Sequence, residues 1–113
     1  MANLDNVIHQ PIRLRIMASL VSLDPDEQVD FTYLKKLLDL TDGNLGAHLV
    51  KLEEAGYVRL VKTFVNKKPK TFVIATGKGR DAFAEHVAAL QDILKPSKLP
   101  RPFHGAREEV EDL

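Results

Sequence analysis

Between Thr41 and Lys51 the chain sets short polar and basic side chains at helical intervals: Asp42, Gly43, Asn44, Ala47, His48 and Lys51. At 3.6 residues per turn they share one side of a helix, while Leu45, Leu49 and Leu52 take the other. An amide such as Asn44 presents a donor and an acceptor together, which matches the exposed edge of adenine, and Lys51 has the reach for guanine or phosphate. A second basic group follows in Arg59, Lys62, Lys67, Lys68 and Lys70, interleaved with Val, Thr and Phe. Cations on a protruding ribbon would neutralise phosphates and make affinity fall steeply with salt. Each residue also has a plainer use. The leucines are core packing, Asn44 can support the start of its helix, His48 can pack beneath the turn, and lysines at a hairpin tip can simply discourage edge pairing.

These groups need elements to carry them. Ile12, Ile16, Leu20 and Leu23 recur at helical spacing after Pro11, a residue suited to a first helical position, which predicts a first helix ending before Asp24-Pro25-Asp26. Gln28 to Asp30 can form a short strand. Asp30 then caps a second helix, Phe31 to Leu38, with Phe31, Leu34, Leu37 and Leu38 facing inward. Thr41 caps the third helix, at about residues 42–55, and Gly56 stands where a left-handed glycine would end it. Only Asp39, Leu40 and Thr41 join the second and third helices, so the two must cross steeply and turn one helix outward. Tyr57 to Val65 and Lys70 to Ile74 read as strands around a polar turn, Asn66-Lys67-Lys68-Pro69, giving a hairpin over 59–74 with a basic tip. Thr76 caps a final helix to Leu94 with a stripe of Phe83, Val87, Leu90 and Leu94.

The chain has 113 residues and a formal net charge of zero, yet residues 41–80 hold eight basic and three acidic side chains. Phosphate responds to the local field, so a basic middle on a neutral chain is informative. There is no cysteine, which removes disulfides, thiolate metal sites and cysteine nucleophiles. No phosphate loop, metal-spaced histidine pair or nucleophile set argues for an enzyme, and no cofactor or metal is expected. His9, His86 and His104 do not share a ligand spacing. No apolar run reaches membrane-spanning length, so a soluble cytoplasmic protein with no membrane partner is expected.

The run from Leu40 to Val58, LTDGNLGAHLVKLEEAGYV, resembles the recognition segment of MarR/ArsR-like winged helix-turn-helix transcriptional regulators, in particular their compact subfamily. His9 to Met17 resembles the first helix of that group, Lys62 to Phe72 its wing, and Thr76 to Arg80 the start of its last helix. The resemblance spans residues 4 to 94, and one departure stands out: Gly46 occupies a position where serine is usual. It implies an α+β, mostly α fold, a winged helix-turn-helix with a three-helix core, a hairpin wing and a long C-terminal dimerisation helix. It also implies sequence-specific binding of double-stranded DNA by a homodimer, the third helix in the major groove and the wing on minor groove or backbone. Thr41, Asp42, Gly43, Asn44, Ala47, His48, Lys51, Arg59, Lys62, Lys67, Lys68 and Lys70 are the expected DNA contacts. Leu4, Val7, Ile8, Phe83, Val87, Leu90 and Leu94 are the expected dimer contacts. A small-molecule effector of unspecified chemistry remains open, and residues 95–113 are expected to form a flexible tail beyond a domain at 1–94. A winged helix that binds protein and not DNA is the alternative, since the fold serves both uses.

Overall fold

The structure, a computed structural model, describes residues 3–95, so the expected tail lies, apart from Lys95, outside the described residues. The elements run α1 (Pro11–Val21), β1 (Val29–Asp30), α2 (Phe31–Leu38), α3 (Asp42–Glu54), β2 (Val58–Val65), β3 (Lys68–Ala75) and α4 (Gly77–Leu94). The element order is the one the periodicities predict, and it makes the α+β winged helix fold that the resemblance implies. The strands form one antiparallel sheet in the order β1-β3-β2.

Local chemistry accounts for the boundaries. The Gln10 side chain accepts from the Arg13 N–H, and Pro11 opens α1. Asp30, Thr41 and Thr76 each accept from a backbone N–H in the first turn of α2, α3 and α4, as N-caps do. Gly56, at φ 83°, ends α3 in a Schellman closure, in which the Tyr57 N–H donates to Leu52 O and the Gly56 N–H to Glu53 O. The same closure ends α2, with Asp39 in the left-handed position at φ 56° and the Leu40 N–H donating to Lys35 O. That bend aims α3 away from α2.

Beneath the helices lies one core. Ile16, Met17 and Leu20 of α1 meet Leu34 and Leu38 of α2, Leu45, Leu49 and Leu52 of α3, and Val58, Val73 and Ala75 of the sheet. Each fully buried aliphatic side chain contributes about 1.5–3 kcal/mol. Leu37 departs from the expected inward set. It is 54% exposed, because the eight-residue α2 turns Leu34 and Leu38 to the core and leaves Leu37 on the outer side with Tyr33.

Helix α4 is locked to the body at its first turn. A Cβ on Gly79 would stand 2.1 Å from the Tyr57 carbonyl oxygen, so only glycine permits this approach. The Thr76 hydroxyl donates to Gly56 O, and the Arg80 guanidinium donates to the carbonyls of Leu23 and Asp24 at 3.0 and 3.1 Å. It also reaches those of Val21 and Leu20, so a cation sits at the C-terminal end of α1, where the helix dipole favours one.

Candidate nucleic-acid interface

Helix α3 turns Leu45, Leu49 and Leu52 into the core and leaves Asp42, Gly43, Asn44, Ala47 and Lys51 in solvent. Seven residues separate Asn44 from Lys51, about 10 Å along the axis. The major groove is about 12 Å wide, so the whole exposed row fits within it. The face is low as well as polar. At both Gly43 and Gly46 an added Cβ would meet nothing within 4 Å. The fold leaves room for larger residues at both positions, and the helix bears the propensity cost of two interior glycines, up to about 1 kcal/mol each.

Two of the expected contacts serve the helix itself. The Thr41 hydroxyl accepts the Asn44 N–H at 3.1 Å, and the Asp42 carboxylate pairs with Lys35 at 2.8 Å. A carboxylate in the first turn already complements the helix dipole, so the opening of α3 is not the vacant anion seat that an uncapped N-terminus would be. His48 is half-buried, and its Nδ1 lies 3.2 Å from an Arg13 guanidinium nitrogen. Arginine can only donate, so Nδ1 accepts and the ring proton sits on Nε2. Burial, and then the nearby Arg13 charge, hold the His48 pKa below its ordinary value. A neutral ring with a fixed Nε2–H results. Arg13 also donates through Nε to Val7 O, so one guanidinium ties the leading segment to α3. The sequence gives no sign of this role, since Arg13 reads as one polar residue on an amphipathic helix.

The wing is longer and tighter than the sequence indicates. The turn has two residues, Asn66 and Lys67 at φ 53° and 67°, the two left-handed conformations of a type I′ hairpin turn. Lys68 and Pro69 belong to β3, paired with Val65 and Phe64. The pair flanking a two-residue turn is hydrogen-bonded, so Phe64 and Pro69 form a non-bonded pair and the proline removes no bond to β2.

Pairing register sorts the basic residues by face. Leu60 with Val73, Lys62 with Thr71, and Phe64 with Pro69 share one face of the hairpin. That face continues into a cleft bounded by Gly46, Leu49 and Val50 of α3, Phe31 of α2, and Leu60, Lys62 and Thr71 of the wing. Arg59 pairs with Ile74 on the opposite face, beside Asp26 and Gly77. Lys70 also faces that way and is held in an ion pair with Asp30. That ion pair is the main reason the Asp30 carboxyl titrates below its usual range. Register therefore withdraws Arg59 and Lys70 from the surface shared with α3. Two more cations of the basic middle are also engaged elsewhere, Arg80 on the end of α1 and Lys78 above the Tyr57 ring at 5.8 Å. Lys51, Lys62, Lys67 and Lys68 remain exposed, Lys62 on the hairpin face that borders α3, Lys67 in the turn, and Lys68, opposite Val65, at the tip on the Arg59 face.

At the other end of the molecule, the expected dimer residues divide. Ile8 is fully buried in the core, which removes it from any partner surface. Leu4, Val7, Phe83, Val87 and Leu90 are half-buried, and Leu94 is 72% exposed beside Ile93 at 59%. The buried residues of α4 are Gly79, His86 and Ala89, and Phe83 of the stripe packs partly against the core. His86 is fully buried, with Nδ1 accepting the Asp5 N–H at 2.9 Å and its ring edge-on to His9 at 5.3 Å. Burial first, and His9 second, hold its pKa down. The Tyr57 hydroxyl donates to Asp5, which pushes the phenol up to about 12. Burial raises the Asp5 carboxyl, but the Tyr57 hydroxyl and the N–H groups of Ile8 and Val7 outweigh it and leave the carboxyl below its usual range.

Comparison with known proteins agrees with this geometry. An uncharacterized protein of Methanocaldococcus jannaschii is 41% identical over 92 residues, covering 81% of this chain and 94% of that protein. The structure of a transcriptional regulator homologue from Pyrococcus horikoshii OT3 superposes with a TM-score of 0.74 at 29% identity, over 84% of this chain and 91% of that one. The transcriptional regulator BldR from Sulfolobus solfataricus shares the fold at 20% identity and a TM-score of 0.60, over 98% and 76% of the two chains. The profile of the winged helix DNA-binding domain family matches residues 12–94, and the chain belongs to that family.

Proposed function

We propose that this protein is a sequence-specific, homodimeric transcription regulator that holds α3 in the major groove of double-stranded DNA and rests its wing on the adjacent minor groove or backbone. One observation supports the reading: Gly46 and Val50 of α3 and the Lys62 side of the hairpin border one cleft, next to the exposed polar row of the same helix, so a duplex lying along α3 would meet the wing as well. Asn44 reads a base edge, the His48 Nε2–H donates, Ala47 offers a methyl to thymine, and Lys51, Lys62, Lys67 and Lys68 take phosphates. Gly43 and Gly46 let the helix axis come close to the base edges. The dimer rests on the outer side of α4 and the leading segment, where Ile93 and Leu94 are exposed beside half-buried Leu90. A two-fold protein matches a two-fold site. Residues 1–94 act as the DNA-binding and dimerising unit, working in the cytoplasm.

The test is binding to random-sequence duplex across a salt series. Roughly four phosphate contacts per protomer give a logarithmic slope near −3 to −4 per bound protomer. Changing Lys67 and Lys68 to alanine flattens that slope on every sequence, whereas Asn44→Ala changes which sequences are preferred. A parent protein whose duplex binding ignores salt would refute the reading. A protein-binding winged helix would instead expose apolar groups on α3, where Val50 is the exposed large apolar residue.

A further inference from the structure

The wing ends in an aromatic residue that the fold does not use. Phe64 is 72% exposed, two residues beyond Lys62 on the hairpin face that borders α3. It lies about 13 Å along the strand from Leu60, the last half-buried residue of β2 on that face. Pro69 sits directly across from it, and the turn beyond is held by two left-handed residues. The ring is therefore displayed on a stiff support. Its surroundings define the partner. From Val58 to Ala75 the hairpin carries five cations and no carboxylate: Lys62 shares the ring's face, Lys67 lies in the turn just beyond it, and Lys68 is exposed at the tip on the opposite face. An apolar protein groove has no need of that field, whereas a polyanion with an apolar interior does. Nucleic acid supplies both, phosphates at the rims of its groove and stacked bases at the floor. The minor groove, about 6 Å wide, admits the edge of one ring.

We propose that Phe64 is an apolar wedge that enters the minor groove beside the α3 site and opens a base step, so that the wing reads deformability as well as charge. The inference rests on the DNA-binding reading above. Inserted apolar side chains partly unstack a step and kink the duplex by about 20–90°, and pyrimidine–purine steps yield most easily. Specificity then extends to base pairs that no side chain of α3 touches. Lys62, on the ring's own face, and the tip cations Lys67 and Lys68 hold phosphates at the rims of the groove.

The experiment uses the full chain and a duplex selected by it from a random pool. Bending is read by energy transfer between dyes at the two ends, and affinity is read on two versions of the site, one with a TA step and one with a stiff A-tract at the wing position. The parent bends the duplex and prefers the TA version. Phe64→Ala keeps the melting temperature and the salt slope, straightens the duplex, and loses about tenfold in affinity on the TA site but little on the A-tract. Phe64→Leu, which retains an apolar wedge, restores part of the bend. If Phe64→Ala bends and discriminates as the parent does, the wedge is wrong while DNA binding stands. If it alters self-association in sedimentation and leaves the bend intact, the ring covers a second copy of the chain and the wedge is again wrong. If the parent shows no salt-dependent binding to any duplex, the DNA reading fails first and takes the wedge with it.

Discussion

Helix α3 and the wing face the same cleft but are built in opposite ways. The helix is anchored along its length by Leu45, Leu49 and Leu52, each essentially without exposure, and its outer side is trimmed to glycine, alanine and a few polar groups. The wing is anchored only at its root, by Val58, Val73 and Ala75, and every residue from Lys62 to Lys70 is exposed. The buried element is fixed in position and can afford hydrogen bonds that demand accurate placement. The exposed one is suited to charge, which tolerates misplacement by an ångström or more. In the function proposed above, base reading and phosphate attraction are thereby divided between a rigid part and a projecting part.

Perturbations of the two parts should differ in kind. The largest effect comes from the back of α3: Leu49→Ala leaves a cavity under the reading face and costs about 2–5 kcal/mol of stability, measured by chemical unfolding. A wing-tip change such as Lys67→Ala stays within about 0.5 kcal/mol in the same measurement. A comparable loss from both would break the contrast. Next, Asn44→Ala costs about 1–3 kcal/mol on the preferred sequence and relaxes discrimination at one base pair, read by competition against singly substituted duplexes. Lys67→Ala and Lys68→Ala each lower the logarithmic salt slope by about one unit and leave sequence preference intact. Gly46→Ala sharpens the contrast further. The site has space for the methyl, so the helix gains up to about 1 kcal/mol of stability, while binding weakens because the axis stands farther from the bases. Greater stability with undiminished affinity would show that the low face has no such purpose.

The smallest effect is a titration behind both parts, where α4 meets the leading segment. The His86 pKa is depressed in the folded chain, so the unfolded chain binds a proton first as pH falls. The stability due to the neutral ring is complete above an unfolded value of about 6.5 and declines below it. His48 shifts in the same direction and adds to the trend. Melting temperatures should therefore fall from pH 7 to pH 5, and His86→Asn, which keeps an acceptor for the Asp5 N–H, should flatten the fall. An unchanged slope in that variant would assign the pH dependence to other groups.

Much of the fold was legible because its signals are local. The caps at Asp30, Thr41 and Thr76, the stop at Gly56 and the leucine period of α3 each depend on a few neighbouring residues. Strand register was not, because one residue of shift exchanges the faces of a hairpin and composition does not record it. Reading Asn66 to Pro69 as the turn hid the two-residue closure, and with it the fact that Arg59 and Lys70 face away from α3. The inward face of α4 was illegible for a related reason. Gly79, His86 and Ala89 do not look apolar enough to mark an inward face, yet close approach to Tyr57 and the Asp5 N–H selects them. Tertiary hydrogen bonds such as Arg13 with His48, 35 residues apart, leave no periodic trace.

The absence of cysteine allows a direct test of the shared cleft. A single cysteine introduced as Asn44→Cys or Lys67→Cys can carry an iron chelate that cuts DNA where it lies. Cuts from the first should fall in the major groove of a bound duplex, and cuts from the second in a neighbouring minor groove, roughly five base pairs away, half of a helical turn. Cleavage from one position only, or from neither while the duplex is bound, would contradict the claim that helix and wing engage the same DNA.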